Sequence, residues 1–383
     1  MKILHLSNVI GEKKGGGVHE VVSNLYKNQK QLQHEPHIWY PGFDEDSNSF
    51  RQDGNIKALS TFGSLKYGII KKLFRQISIE NKNYDLIHQH GIWMPISLYS
   101  KRLRKKTKIK GVIQPHGYLE PFQLKISKYK KYIAYHLYEK SNLKDASVLI
   151  ACSNNEGNKL KKLFPDKDIA IVPNGISLDF FDAKFLNKKL KQKKIMLFLS
   201  QIIPIKGLER LLRIIASIGL KKFANWELNI AGYEDKNHTI VLKKLIKELG
   251  LVSFVSFVGP KLGEDKIKTF DNADLFILPS YNENFGIVVA EALARKVPVL
   301  TTRGTPWNEL EMYNCGFWVE NNDKGIRDGL LQLLEFNSND LKSMGVNGRT
   351  LVKKNYLWSK TTLKTIELYK WVLYDGDKPD FII

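Results

Sequence analysis

The chain has 383 residues, enough for two domains of nearly equal size, and its 43% hydrophobic and 26% charged content with a mean hydropathy of -0.29 excludes a disordered tail or a fibrous repeat. Two cysteines, Cys152 and Cys315, far apart and outside any CxxC or Cys/His spacing, exclude a disulfide framework and a zinc quartet and fit a reducing, cytosolic setting. Sixty basic against 39 acidic residues give a net charge of +21, a field that attracts nucleic acid, anionic lipid or phosphorylated ligands without choosing among them.

In chain order, residues 2–9 form a buried first strand. The short apolar run there, broken by His5, Ser7 and Asn8, makes a poor signal peptide, and no run along the chain approaches the ~20 residues of a membrane span. Gly15-Gly-Gly17 follows, ahead of a helix opening at Val18, where Val18, Val21, Val22 and Leu25 fall at helical spacing. Further strands are expected at residues 36–40, 85–89, 111–115 and 147–152. Residues 101–144 carry 13 basic side chains against Glu120 and Glu139.

The segment PNGISLDFFD and the lysines after it read as a connector, and a second βα series follows with strands at residues 195–200, 226–231, 254–258, 275–278 and 297–301. Alternation from end to end predicts an α/β chain of two Rossmann-like, doubly wound domains facing across a cleft. The expected boundaries are 1–175, 176–355 and a C-terminal helix within 356–383 that crosses back to the first domain, packing through Leu363, Ile366, Leu368, Tyr369 and Val372.

Pro279-Ser-Tyr-Asn-Glu-Asn-Phe-Gly-Ile-Val-Val-Ala-Glu291 carries the most chemistry. A buried strand stops at a proline, a polar loop follows, and a helix begins near Phe285 with unpaired amides that suit an anion. A carboxylate is a poor phosphate partner and a good acceptor for sugar hydroxyls, so Glu283 and Glu291 read as hydroxyl-binding groups flanking an anion-binding turn. The plainer alternative is Glu283 as a helix-dipole residue and Glu291 as an exposed helix charge.

This segment resembles the E-x7-E signature of retaining glycosyltransferase family 4, which has the GT-B fold. Ser200-Gln-Ile-Ile-Pro-Ile-Lys-Gly207 is similar to the family's (G/S)-R-x4-K-G turn, Ala290-Glu-Ala-Leu-Ala-Arg-Lys-Val-Pro-Val299 to its E-A-L-A-x-G-x-P-V continuation, and Val172-Pro-Asn-Gly-Ile176 to its interdomain VPNG. The resemblance implies a retaining, metal-independent transferase. It implies Lys206 at the donor diphosphate, Glu283 at the moving sugar and Glu291 at the ribose, with Gln201, Asn284, Phe285, Gly286 and Ile287 also on the donor. Gln201 stands where the family has arginine, which removes a cation that Arg210 or Arg303 would have to replace. Gly16 and Gly17 are expected to approach the donor in a loop. Pro115-His-Gly-Tyr-Leu-Glu-Pro121 resembles the family turn that places a histidine beside the sugar, and His116 takes that role.

His88 and His90 suggest a metal pair on spacing, but strand alternation and the absence of nearby acids favour packing and cleft lining. Asp44-Glu-Asp46 and Asp375-Gly-Asp377 read as solvated turns, so no metal and no cofactor besides the nucleotide-sugar co-substrate is expected. Similarity in Ile87-His-Gln-His-Gly-Ile-Trp93, the His116 turn and Gly304-Thr-Pro-Trp307 points to bacterial surface-polysaccharide members, those of O-antigen and capsule. It implies a polyprenyl-diphosphate-linked acceptor and peripheral attachment to the inner face of the cytoplasmic membrane. Residues 101–110, 125–131 and an amphipathic helix at 65–79 are the expected contacts with anionic lipid. A sugar-nucleotide 2-epimerase shares the architecture but not the E-x7-E and KG pairing. A nucleic-acid-binding protein explains the charge but lacks any reader motif and leaves the carboxylates unused.

Overall fold

Strands that are apolar along their whole length need cover on both faces, and parallel sheets sandwiched by helices supply it. The computed structural model describes residues 1–8, 12–41, 53–59, 61–62, 69–70, 83–185 and 193–383. These divide into two units, Met1–Asn174 with Trp358–Ile383, and Gly175–Leu357.

The first unit contains β1 (Lys2–Ser7), β2 (Glu35–Pro41), β3 (Ile56–Leu59), β4 (Thr61–Phe62), β5 (Ile69–Ile70), β6 (Leu86–His90), β7 (Lys110–Gln114), β8 (Val148–Ala151) and β9 (Ile169–Ile171). Seven of these pair in the order β3-β2-β1-β6-β7-β8-β9 with every contact parallel, while β4 and β5 make a small antiparallel pair. Side chains alternate along each strand. Ile3, Leu86, Val112 and Ile150 thus pack under Ile366, Leu368, Tyr369 and Val372 of the helix Trp358–Tyr374. Leu4, Leu6 and Ile87 face the other way, onto Ile96, Tyr99 and Leu103 of the helix Pro95–Thr107. Each such aliphatic side chain taken wholly out of water contributes roughly 1.5–3 kcal/mol. The end of the chain then covers the sheet edge at β9, through Ile171 N donating to Phe381 O at 2.8 Å and Ile383 N to Ile169 O at 2.9 Å.

Several expectations change here. Leu363 is 55% exposed, and the buried face of its helix is completed by Thr361, Thr362 and Thr365 instead. The first helix runs Glu12–Gln31, so Gly16 and Gly17 are helical and not in a loop. Burial of Val21, Val22, Leu25 and Tyr26 downstream offsets the roughly 1 kcal/mol that each glycine costs a helix. Ile69 and Ile70, expected within an amphipathic helix at 65–79, are strand β5, as suits a β-branched pair. Residues 65–68 and 71–79 of that stretch and Asp44-Glu-Asp46 lie outside the described residues.

The second unit contains β10 (Lys194–Leu199), β11 (Trp226–Ala231), β12 (Val255–Gly259), β13 (Leu275–Leu278), β14 (Val299–Thr302) and β15 (Gly316–Val319), all parallel in the order β12-β11-β10-β13-β14-β15. Arg295, with its side chain fully buried, clasps Asp271 through two bonds of 2.7 and 2.8 Å and also donates to the carbonyls of Phe180 and Ala183, pinning the start of this unit to its helices. Both sheets reverse strand order once, at β1/β6 and at β10/β13. Open α/β sheets hold ligands beyond the carboxyl ends of the strands at such a reversal. Among the described residues no helix is long and apolar enough to cross a membrane.

Candidate functional site

In the second unit the reversal is occupied by two loops that brace each other. After β10 a single 3-10 turn, Pro204–Lys206, ends at Gly207 with φ 75°. A Cβ on Gly207 would lie 2.1 Å from the Pro279 carbonyl oxygen, so only glycine lets the turn dock on the loop after β13. Tyr281 N donates to Ile205 O at 2.9 Å and closes the contact. Gly207→Ala is therefore expected to destabilise this unit by about 3 kcal/mol, combining backbone strain with the clash, and to lower activity with it. Thermal unfolding of the variant checks this, and an unchanged midpoint would contradict it.

This docking carries Lys206 to Glu283, Nζ to Oε1 at 2.5 Å, with side chains only 15% and 12% exposed. Ser280 Oγ donates to the same oxygen at 2.9 Å, and Glu283 N donates to Gly304 O at 2.8 Å. Two residues 77 apart in sequence thus form one ionic unit. The helix Ile287–Ala294 starts beside it, behind Gly286 at φ 74°, and no side chain caps this end. Its first amides face outward from the helix as donors, in the positive field of the dipole.

The remaining expected donor residues separate. Phe285 is 6% exposed, its ring packed on Trp307 and Tyr356 and its carbonyl bonded by Trp307 Nε1 at 2.6 Å, so its side chain belongs to the core. Asn284 and Gly286 are half-buried between Glu283 and the helix, and Ile287 is half-buried at its first position. Glu291 is not an exposed helix charge. It is 3% exposed, Oε1 bonds Lys266 Nζ, and Oε2 is buried without a hydrogen-bond partner. Gln201 is exposed. Arg210 donates to Pro279 O at 2.5 Å and to Asn321 Oδ1 at 2.8 Å and stacks on Tyr281, while Arg303 pairs with Glu320 at 2.6 Å. Arg210 is thus held by the loop after β13, while Arg303 pairs with Glu320 at the surface, the two side chains being 48% and 59% exposed.

In the first unit His116 sits just past β7, at φ 56°, with Gly117 at φ 75° after it. Gly117 N donates to Glu156 Oε1 at 2.8 Å, which fixes the turn. Register pairs His5 with His88 across β1 and β6, and alternation puts His90 on the same face as His88. His116 Nε2 lies 3.2 Å from His90 Nδ1, His90 Nε2 2.9 Å from His5 Nδ1, and His5 Nε2 2.8 Å from Gln29 Oε1. His88 Nδ1 meets the Tyr369 hydroxyl at 2.6 Å. Burial disfavours the imidazolium throughout, lowering His5 to about 4 and His116 to about 3, and His88 and His90 well below the usual histidine value. Gly16 and Gly17 lie in the first helix, and a Cβ on Gly17 would meet no protein atom within 4 Å.

Sequence reasoning missed Ser280, Lys266, His5 and Gln29. Only His5 carried a signal, a polar residue inside an apolar strand.

Comparison with known proteins gives this arrangement its context. Residues 15–180 match the family model described as Glycosyltransferase Family 4, and residues 179–351 match Glycosyl transferases group 1. An uncharacterized glycosyltransferase of Methanocaldococcus jannaschii is 26% identical over 93% of this chain and 94% of its own length. Anabaena HepE, solved in complex with UDP-glucose, superposes with a TM-score of 0.75 at 16% identity, covering 96% of this chain and 99% of that one. WaaG, a glycosyltransferase involved in lipopolysaccharide biosynthesis, gives 0.69 at 16% identity, over 98% of this chain and 100% of that one. The chain is a glycosyltransferase of the GT-B fold, made of a Glycosyltransferase Family 4 domain followed by a Glycosyl transferases group 1 domain.

Proposed function

We propose that this transferase takes a sugar from a nucleoside-diphosphate donor held by the second unit and delivers it, with retained configuration and without a metal, to a hydroxyl of a lipid-linked saccharide held by the first. The observation that carries the reading is the Lys206–Glu283 pair beside an uncapped helix end at the strand reversal. That set offers a cation and backbone donors to a departing diphosphate and a carboxylate to sugar hydroxyls. The orphan Glu291 Oε2 suits an acceptor for a ribose hydroxyl. HepE, of the same fold, was solved with UDP-glucose, which supports the donor class. The bond from the sugar to the diphosphate breaks with its electron pair on phosphate, and the acceptor oxygen arrives on the same face as its proton passes to that phosphate oxygen. An epimerase would release an altered sugar nucleotide and need no acceptor, and two glycosyltransferase family matches disfavour it.

Thermal stabilisation across a panel of nucleotide sugars identifies the donor, and NMR of the product reports its configuration. Inversion, or loss of activity in EDTA restored by manganese, would overturn the retaining, metal-independent reading.

The lipid-linked acceptor gains support from one part of the surface of the first unit. Around the helices Pro121–Lys125 and Lys128–Ala134, Ile126, Tyr129, Tyr132, Ile133 and Leu137 are 49%, 84%, 67%, 58% and 74% exposed, among Lys125, Lys128 and Lys130. Apolar side chains with interleaved lysines suit an anionic membrane surface on the cytoplasmic side, at ~1 kcal/mol per lysine. Arg104, counted with the basic run, is instead buried against Asn142. Co-sedimentation with anionic vesicles, reversed by salt and reduced when Tyr129 and Leu137 become serine, is the expected result. Equal binding to neutral and anionic vesicles, or none to either, would remove the membrane and lipid-acceptor assignment.

A further inference from the structure

Gln29, His5, His90 and His116 form one continuous hydrogen-bonded row, with links of 2.8, 2.9 and 3.2 Å. Gln29, His5 and His90 are all 0% exposed, so water does not interrupt it. A neutral imidazole has one donor and one acceptor nitrogen, and the direction of the bond at one end therefore sets every bond along the row.

The Gln29 oxygen only accepts, so His5 donates to it from Nε2 and presents a bare Nδ1. His90 then donates from Nε2 to His5 and presents a bare Nδ1 in turn. His116 donates from Nε2 to His90. All three rings are then in the Nε2–H tautomer that a neutral histidine side chain intrinsically favours, whereas the reverse direction would need three rings in the other. An imidazolium in the middle of the row would have two donors and break it, and burial keeps the rings neutral.

We propose that His5 and His90, anchored by Gln29, are positioning residues that hold His116 as the Nε2–H tautomer, so that its Nδ1 is an obligate acceptor for a substrate hydroxyl. The proposal rests on His116 being the sugar-contacting residue. Ligand nitrogens of His5, His88 and His90 also lie within 4.8 Å of one another, a spacing open to a metal. Yet among the described residues no carboxylate joins that group, and nitrogens of His5 and His90 are already bonded to each other.

The test is nitrogen-15 NMR of the full chain labelled at histidine, combined with kinetics. Wild type is expected to show His116 neutral at pH 7, protonated at Nε2 and bare at Nδ1. His90→Phe removes the acceptor and is expected to mix the tautomers of His116 and lower kcat about tenfold, the worth of one hydrogen bond, with donor KM unchanged. His90→Asn, whose amide oxygen accepts in place of Nδ1, is expected to restore both. A wild-type His116 protonated at Nδ1 or on both nitrogens would overturn the row, as would unaltered tautomer and kcat in His90→Phe, or one equivalent of divalent metal retained by the purified protein. The wild-type spectrum decides even where a variant fails to fold. Full activity of His116→Ala alongside the proposed tautomer would overturn the sugar-contact reading and leave the row itself intact.

Discussion

Lys206→Ala and Glu283→Ala are each expected to lower kcat by ~10^2–10^3, the range for removing one group that stabilises charge in a transition state. Lys206 Nζ and Glu283 Oε1 are 2.5 Å apart at a site mostly closed to water, where such an interaction is stronger than at an exposed surface. The pairing adds a coupling that neither residue shows alone. Removing one member leaves the other without its partner, so the double variant should lose less than the product of the two single losses. Lys206→Ala should act on kcat, because diphosphate charge grows as the bond breaks, while Glu291→Ala should act mainly on donor KM. Steady-state kinetics of the three single variants and the double variant test this set. Wild-type kcat in both Lys206→Ala and Glu283→Ala would remove the pair from the reaction.

How such a pair comes about is not legible in sequence. Glu283 and Lys206 were both candidates from their motifs, but their contact depends on β10 and β13 being neighbours, and that adjacency is a product of the strand reversal. The fold class was legible because strands such as LFIL and VLIA are apolar without period and alternate with helical stretches. Strands β3, β9 and β15 were not. β9 has three residues, and β15 opens on a glycine that packs so closely on β14 that a Cβ would lie 2.2 Å from Val299 O. The expected strand at 297–301 is in fact Val299–Thr302. Pro298 has no amide to add to the ladder and contributes only its carbonyl, which accepts from Phe276 N at 2.9 Å.

One departure from the family pattern became readable only with dihedrals. Lys296 occupies the glycine position of the E-A-L-A-x-G continuation and has φ 61°, so the left-handed turn survives without the residue that favours it. Lys296 N donates to Leu293 O at 3.0 Å and Val297 N to Ala292 O at 2.9 Å, which closes this turn on the end of its helix. The histidine row has the same character. His88 and His90 declared themselves by spacing, but His5 joins them only through the β1–β6 register, and Gln29 only through the packing of the first helix.

The first unit is expected to lose stability steeply as pH falls from 6.5 toward 4. Its described residues include His5, His88, His90 and His116, whose values burial lowers, two of them to about 4 and about 3, and burial also lowers His34. In the unfolded chain each takes up a proton near pH 6.5, while the native rings stay neutral until far lower pH. The unfolded state therefore binds more protons across that window, and stability falls with pH by about 1.4 kcal/mol per unit for each histidine once fully engaged. Four together approach the 5–15 kcal/mol typical of a whole domain within one or two pH units. Glu139, raised by burial, acts in the opposite sense near the lower end of the window, as one group against four. The second unit has no such cluster among its described residues, so melts at pH 5 should separate into an early transition of the first unit and a later one of the second. Replacing His88 by leucine should flatten the pH slope of the early transition by about 1.4 kcal/mol per unit, because one titrating ring is gone. A first-unit midpoint that stays constant between pH 7.5 and 5 would show that these rings are not held neutral, and would remove the physical basis for a row of neutral imidazoles behind His116.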